Sequence, residues 1–457
     1  MFRLESDSIG IRQVPIDAYF GVQSLRAHEN FKISKENAHF ELIKSAVEIK
    51  KAAARINFKA GVLTEEVSTA IVSACNDILN GKFLDNFIVD SIQGGAGTSF
   101  NMNVNEVIAN RAIELLGKNK GDYTVVHPND HVNCGQSTND IYPTAGKIAC
   151  IRLLDKAITE LKSLSNSFAK KAKENKDVIK MGRTEMQDAV PISFGQVFSA
   201  FKSAIDRDII RFEKAKIALS EINMGGTAIG TTLTADKYYV KNIVVEISKI
   251  TEIELKQAQD LIDSTQNLDA FVFVSGIIKT CATTLNKIAN DLRLMSSGPR
   301  TGFSEISLPP KQNGSSIMPG KINPVIPEVI NQIAFRIIGN DCTITHAVEA
   351  GQLELNAFEP IIFHCLFESL EFLTNGLKTL RVECVDGLTV NKNVCDKQIE
   401  NSISIITAII PYVGYKKASD LAKKALSQNK TVKQILIEEN IFTLDNINKI
   451  LDPIKMI

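Results

Sequence analysis

The sequence predicts a mainly α-helical protein of more than one domain. Only 13 prolines and 26 glycines punctuate its 457 residues, and they cluster between long stretches whose apolar residues recur every three or four positions. From Ile148, the residues Ile151, Leu154, Ile158, Leu161, Leu164 and Phe168 keep one stripe on one helix face. Single cores stop growing at roughly 250–300 residues, so a chain of this length divides into two or three domains.

Residues 1–140 mix shorter helical patterns with Gly-rich and Asn-rich loops, and form the first expected domain. Residues 141–394 hold the long helices. The stripe from Ile148 runs several turns past Phe168, and a second helix runs from near Pro191 towards Leu219 with Val197, Phe201, Ala204, Ile205, Ile209 and Phe212 on its apolar side. A third is expected at about 239–295. A fourth begins after Asn323, with Pro324 at the first helical position and Val325, Ile326, Val329, Ile330 and Ile333 following. A fifth is expected at about 352–382. These are bundle lengths, well beyond the ordinary mean of about 11–12 residues. Residues 395–457 read as a small, separate helical unit.

Lys plus Arg equals Asp plus Glu at 52 each, so no global field draws the chain to nucleic acid or an anionic membrane. Any anion must be captured locally. Eight cysteines stand singly at 75, 134, 150, 281, 342, 365, 384 and 395, with no C-x-x-C pair and no His/Cys cluster at zinc spacing. They are expected to be reduced thiols in a cytoplasmic protein, and no metal is expected. The segment MFRLESDSIG lacks a secretory pattern, and no run approaches 18 apolar residues.

Four polar stretches precede apolar-periodic segments: QGGAGTSFNMNVNE (93–106), NCGQSTNDIYPTA (133–145), MGRTEMQDAVP (181–191) and GSSIMPGKINP (314–324). Each is expected to be a loop ending in a helix N-terminus, with Asn139 or Asp140, Asp188 and Asn323 as caps. Helix starts carry unpaired N–H groups and partial positive charge, so several together suit a small dianion. Ser, Thr and Asn also cap helices where nothing binds. Four such loops in one chain, one with a lysine and one with an arginine, favour a site.

No Ser-His-Asp pattern, G-x-S-x-G elbow or dinucleotide G-x-G-x-x-G appears, and GGAGTS lacks the G-K-[ST] ending of a phosphate loop. Neutral donors plus a cation fit reactions that build negative charge on a bound carboxylate. Removing a proton beside a carboxylate creates an enediolate, which preorganised donors stabilise by about 2.7–4 kcal/mol each. A hydroxyl can serve as the base only where N–H groups and a cation stabilise its alkoxide. Ser315 or Ser316, between Gly314 and Lys321, meets that need if the loop folds over the substrate, with Gly314 and Gly320 as hinges.

GSSIMPGKINPVIPE resembles the signature loop of the aspartase/fumarase superfamily, and the other three loops fall where that family's active-site segments lie. The resemblance runs from VPIDAYFGVQSLRAHENFKIS (14–34) to about residue 395. QGGAGTSFNMN, EVINQIAFRIIGND and EAGQLELNAFEP are more similar to the aspartate ammonia-lyases than to the fumarases, which usually read Q-x-G-S-G-T-Q-x-N-M-N at the first.

The resemblance implies a mainly helical, three-domain protomer whose central five-helix bundle joins three others in a homotetramer with a twenty-helix core. Each active site would draw loops from three subunits, and no organic cofactor would be needed. The small-molecule substrates would be L-aspartate and fumarate. Ser315 matches the serine that removes the Cβ proton, and Ser316 a donor to the activated carboxylate. Lys321, Asn323 and Thr184 match the residues holding the other carboxylate. Thr98, Ser137 and Thr138 match the hydroxyls on the enediolate, and Asn139 a ligand of the amino group. His127 and His131 are expected to be structural.

Some positions depart from the family. Glu185 stands where fumarases carry His and aspartases Gln or His. Its carboxylate would attract an ammonium at close range, which favours an amino-acid substrate; turned to solvent or paired with Arg183, it would do neither. Cys134, Gly135, Thr232 and Thr234 also differ, and bear on substrate preference rather than reaction class. Fumarase-type hydration to malate and a catalytically silent helical scaffold are the competing readings.

Overall fold

The computed structural model describes residues 1–456, and its chain is mainly helical. A hairpin, β1 (Phe2–Asp7) and β2 (Gly10–Pro15), is followed by α1 (Val22–Asn30), α2 (Phe40–Lys59), α3 (Glu65–Leu79) and α4 (Thr98–Leu115). Next come α5 (Thr138–Glu174), a second hairpin of β3 (Ile179–Thr184) and β4 (Gln187–Ser193), and α6 (Phe194–Leu219). β5 (Glu221–Ile222), α7 (Lys237–Thr251) and β6 (Lys256–Gln257) precede α8 (Leu261–Gln266) and α9 (Asp269–Met295), and β5 pairs with β6 in parallel. After β7 (Ile306–Ser307) run α10 (Val325–Glu349) and α11 (Glu359–Leu380). β8 (Thr389–Val390), antiparallel to β7, leads to α12 (Lys392–Asn401), α13 (Ile410–Val413), α14 (Tyr415–Ser427), α15 (Val432–Glu438) and α16 (Leu444–Ile450).

The chain divides into two compact units: residues 1–158, 210–280 and 336–372 make the first, and 159–209, 281–335 and 373–457 the second. Five long helices, α5, α6, α9, α10 and α11, contribute residues to both. In the first unit Tyr142 of α5 packs on Phe363 of α11 with ring centroids 5.1 Å apart, and Phe271 of α9 meets the same ring at 5.1 Å. Asp341 of α10 accepts hydrogen bonds from Ser275 and Lys279 of α9 at 2.7 and 2.6 Å. In the second unit Phe168 of α5 meets Phe201 of α6 edge-on at 5.5 Å. There Ala282 and Leu285 of α9 line one apolar cleft with Ile330 of α10 and Leu377 of α11. The stripe from Ile148 to Phe168 is core, whereas Val197, Ala204 and Ile209 of α6 are half-buried and Val329 of α10 is exposed.

Four local expectations need correction. The segment 239–295 is three helices, because Glu252 takes a left-handed conformation (φ 59°), 256–257 joins β5, and Asp260 caps a new start through the N–H groups of Ile262 and Asp263. The helix expected at 352–382 begins at Glu359; Asn356 turns the chain by donating to the carbonyls of Ala347 and Val348 and accepting from the Phe358 N–H. Residues 181–191 are a β-hairpin, so Asp188 lies in a strand and accepts from Ser402 Oγ at 2.8 Å instead of capping α6. Ser193 and Gln196 cap that helix reciprocally, a pairing worth about 1 kcal/mol. Asn323 caps nothing with its side chain, which donates to the Gly314 carbonyl at 2.8 Å.

The C-terminal helices close over a cluster that includes Ile399, Ile409, Leu421, Ile435 and Ile447, together with Ile179 and Met181 of β3. All eight cysteines are free, and burial pushes the Cys75, Cys384 and Cys395 thiols up to about 12. Thiolate chemistry is disfavoured at those positions.

One buried carboxylate anchors the start of the first unit. Glu106 of α4 accepts from the N–H groups of Gly21, Gln23 and Ser24 at 2.8, 2.9 and 3.1 Å, and from Ser24 Oγ, so it serves as the cap of α1. Burial outweighs these donors and pushes its carboxyl up to about 7 from 4.5. Between those pH values the native state holds a proton that the unfolded chain has lost, so stability falls as pH rises from about 4.5 to 7. The loss is complete above that and is on the order of 3 kcal/mol. Melting curves from pH 5 to 8 should show this decline in the wild type and a flatter profile in Glu106→Gln; parallel profiles would refute it.

Candidate active site

In the second unit, the serine loop is closed at its base by two backbone-directed bonds. The Gly314 N–H donates to the Lys321 carbonyl at 2.7 Å, and Asn323 Nδ2 returns to the Gly314 carbonyl at 2.8 Å. A Cβ at 314 would lie 2.7 Å from the Lys321 oxygen, so only glycine fits this crossing. Within the loop, Ser315 Oγ accepts from the backbone N–H groups of Ile317 at 3.1 Å and Met318 at 2.9 Å. Ser316 and Lys321 are exposed, and Ser315 and Asn323 are half-buried.

The hairpin presents Thr184 and Glu185 at its tip. Glu185 and Met186 both have positive φ, 54° and 66°, which makes the tight two-residue turn that joins β3 to β4. Both Thr184 and Glu185 are exposed. Arg183 is not paired with Glu185: its guanidinium binds Glu305 at 2.6 Å and lies 4.3 Å over the Phe303 ring. Lys180 reaches the other oxygen of Glu305 at 2.8 Å, so a fully buried carboxylate pins the hairpin beside β7, the stem of the serine loop.

The first unit holds Thr98, Ser137, Thr138 and Asn139 at two helix N-termini. Thr98 opens α4 after Gly97, whose φ is 85° and whose added Cβ would lie 2.5 Å from the Tyr142 ring. Ser137 Oγ accepts the Asn139 N–H at 3.2 Å while Asp140 accepts the Ser137 N–H at 3.0 Å, a reciprocal cap on α5. Thr138 Oγ1 accepts from Asn101 Nδ2 at 3.0 Å. Both hydroxyls therefore keep their own protons to donate. Asn139 Nδ2 donates to the Ala228 carbonyl at 2.7 Å, and no described residue donates to its Oδ1.

Behind these residues lies a polar layer that the sequence reading missed. Asn133 Oδ1 accepts from Lys50 Nζ, Asn101 Nδ2 and Asn105 Nδ2 at 2.7, 3.1 and 3.3 Å. Asp140 is fully buried, accepts the N–H groups of Gly225 and Thr227 at 3.2 and 3.0 Å, and is pushed up to about 6 by burial. Asn101 and Asn133 fall inside the quoted loops and could have been singled out as buried amides; Asp140, one of the two caps expected for α5, accepts the Ser137 N–H there. Lys50, amid IKKAAARI, carries no signal.

His127 and His131 are structural: His127 Nδ1 accepts from the N–H groups of Asn129 and Asp130, and His131 Nδ1 from the His127 N–H. Cys134 uses its carbonyl to hold Asn57 Nδ2 at 2.9 Å. Thr232 and Thr234 take positive φ, 61° and 73°, a strained conformation for β-branched residues.

A family model described as lyase matches residues 10–339, and one described as fumarase C C-terminus matches 405–457. The aspartate ammonia-lyase of a Bacillus species is 50% identical over 454 residues, 99% of this chain and 97% of the relative. Among solved structures, a fumarate lyase:delta crystallin from Brucella melitensis bound to cobalt shares a TM-score of 0.98 and 48% identity, covering 100% of this chain and 99% of that one. A class II fumarase from Schistosoma mansoni has a TM-score of 0.96 at 34% identity with the same coverage.

The crossing at Gly314 yields a direct test. Gly314→Ala should splay the loop base and speed limited proteolysis within 315–322 several-fold while leaving the melting temperature unchanged; wild-type cleavage rates would mean that the base is not held by this contact.

Proposed function

The chain belongs to the lyase family whose model spans residues 10–339, and on that premise we propose that it reversibly eliminates ammonia from L-aspartate to give fumarate, as a carbon–nitrogen lyase. The observation that carries this reading is the pair of backbone N–H groups on Ser315 Oγ. They stabilise the serine alkoxide, and Lys321 in the same loop adds positive charge. Ser315 then removes the Cβ proton, and the electrons flow onto the adjacent carboxylate as an enediolate. Ammonia leaves Cα as the double bond forms.

Each remaining residue has a part in that path. Thr98, Ser137 and Thr138 donate to the enediolate oxygens, and Ser316 joins them when the loop covers the substrate. Thr184, Lys321 and Asn323 hold the second carboxylate. Asn139 Oδ1, free of internal donors, accepts from the substrate ammonium. Glu185, exposed at the hairpin tip and released from Arg183, attracts the same ammonium.

The same reading makes the protein a cytoplasmic homotetramer whose active sites combine loops of three subunits. Large apolar side chains exposed on the long helices support assembly, among them Phe335 at 61%, Ile210 at 57% and Phe273 at 50%. Among the described residues no helix is long and apolar enough to cross a membrane. The reading needs no organic cofactor, and it divides the chain into an N-terminal domain (1–140), a central bundle (141–394) and a C-terminal domain (395–457).

Fumarate absorbance should grow when purified protein meets L-aspartate and not when it meets L-malate; growth with malate alone would make the chain a fumarase, and growth with neither would leave a silent scaffold. Ser315→Ala should lower kcat by roughly 10²–10⁴-fold, and near wild-type turnover would remove Ser315 as the base. Glu185→Gln should raise KM for aspartate roughly fivefold, the effect of about 1 kcal/mol for a part-solvated charge pair; an unchanged KM would leave Glu185 without a role in binding.

A further inference from the structure

The first turn of α5 and the loop after β5 are fastened together by one carboxylate. Asp140, with none of its surface exposed, accepts the Ser137 N–H at 3.0 Å on Oδ1. Its Oδ2 accepts the N–H groups of Gly225 and Thr227 at 3.2 and 3.0 Å. All three partners are donors. The loop it grips is not built for stability. Thr227 is buried at φ 60°, a conformation that β-branched residues rarely take, and its Oγ1 has no hydrogen-bond partner among the described residues. Such a turn persists only where its surroundings hold it.

The turn in its place carries the carbonyl that holds Asn139. Ala228, the residue after Thr227, accepts Asn139 Nδ2 at 2.7 Å, and Asn223 Nδ2, just before the turn, donates to the Asn139 carbonyl at 2.9 Å. The Asn139 amide is thus fixed by its nitrogen, and its donor-free Oδ1 is left for a ligand. We propose that Asp140 is a positioning residue for the substrate's amino group: its carboxylate holds the 225–228 turn, the turn holds the Asn139 amide, and Asn139 Oδ1 meets the ammonium. This rests on the function proposed above. The coupling is geometric and requires only that the carboxylate be ionised. Burial pushes the Asp140 carboxyl up to about 6, and the titratable groups facing it among the described residues are Lys50 of α2 and Tyr239 of α7. Above that pH the carboxylate accepts all three N–H groups. Below it, the added proton meets donors alone and the turn is released. Aspartate binding therefore weakens as pH falls through about 6, whereas fumarate, which has no amino group, is held as before.

The test uses the full-length assembled protein. In the wild type, KM for L-aspartate should rise several-fold between about pH 7.5 and pH 5, while the inhibition constant of fumarate stays within about twofold. Asp140→Asn keeps one oxygen for the Ser137 N–H and sets an NH2 group against the two loop donors. Its KM should lie roughly tenfold above wild type at about pH 7.5, the effect of one lost charge-assisted hydrogen bond, and should stay flat across the range. Glu185→Gln removes the other carboxylate placed at the amino group, and should keep the wild-type pH dependence. A flat KM in the wild type overturns the proposal, as does a parallel rise in the fumarate inhibition constant, which marks a general loosening of the site. Wild-type KM and pH dependence in Asp140→Asn overturn it too, and so does loss of the dependence in Glu185→Gln. Where Asp140→Asn fails to assemble, the wild-type and Glu185→Gln profiles decide. A wild-type protein that makes no fumarate from aspartate overturns the function itself, and this proposal with it.

Discussion

A serine hydroxyl gives up its proton only where donors already surround its oxygen, and the N–H groups of Ile317 and Met318 meet that condition at Ser315. The geometry is that of a small turn closed on a side-chain oxygen, and it persists only while the loop keeps its base. The Gly314–Lys321 and Asn323–Gly314 bonds hold that base, and α10 begins immediately after it. The stem on the other side runs back to β7 and to Glu305, the buried carboxylate on which Lys180 and Arg183 of β3 converge. One buried carboxylate thus fixes both the hairpin that presents Thr184 and the strand from which the serine loop departs. Removing Glu305 itself would leave both cations without their buried partner, a loss of about 3–5 kcal/mol.

The first unit solves a different problem with different means. Two of its hydroxyls each accept one hydrogen bond from within the fold: Ser137 from the Asn139 N–H and Thr138 from the Asn101 amide. The donor to Thr138 is an asparagine on the buried face of α4, and Asn133 accepts from the same amide, where hydrophobic residues would pack better. Such a layer costs stability unless every partner is met. Here Lys50, Asn101 and Asn105 share one acceptor, Asn133 Oδ1.

Much of this was legible in the chain itself. The steps of three and four from Ile148 to Phe168 are a local property, and α5 carries them as core. The turn in GSSIMPGKINP is local for the same reason: folding a serine oxygen onto N–H groups two and three residues ahead needs only neighbours in sequence. Other features were not legible. MGRTEMQDAVP reads as a cap signal because Asp precedes Pro, yet its strands pair and its Asp188 turns to Ser402, more than two hundred residues away. The break at Glu252 is likewise imposed by pairing of 256–257 with 221–222, against a continuing apolar period.

The sequence by itself determined the helical architecture, the family and the residue types at the site, because periodicity, turns and motifs are short-range. Only the tertiary structure decided that Arg183 serves Glu305 rather than Glu185, and that Lys50 is buried behind Thr138 rather than solvated on a helix face. Burial and charge pairing depend on which distant segments pack against a residue. A lysine in IKKAAARI looks the same whether α3 and α5 cover it or water does.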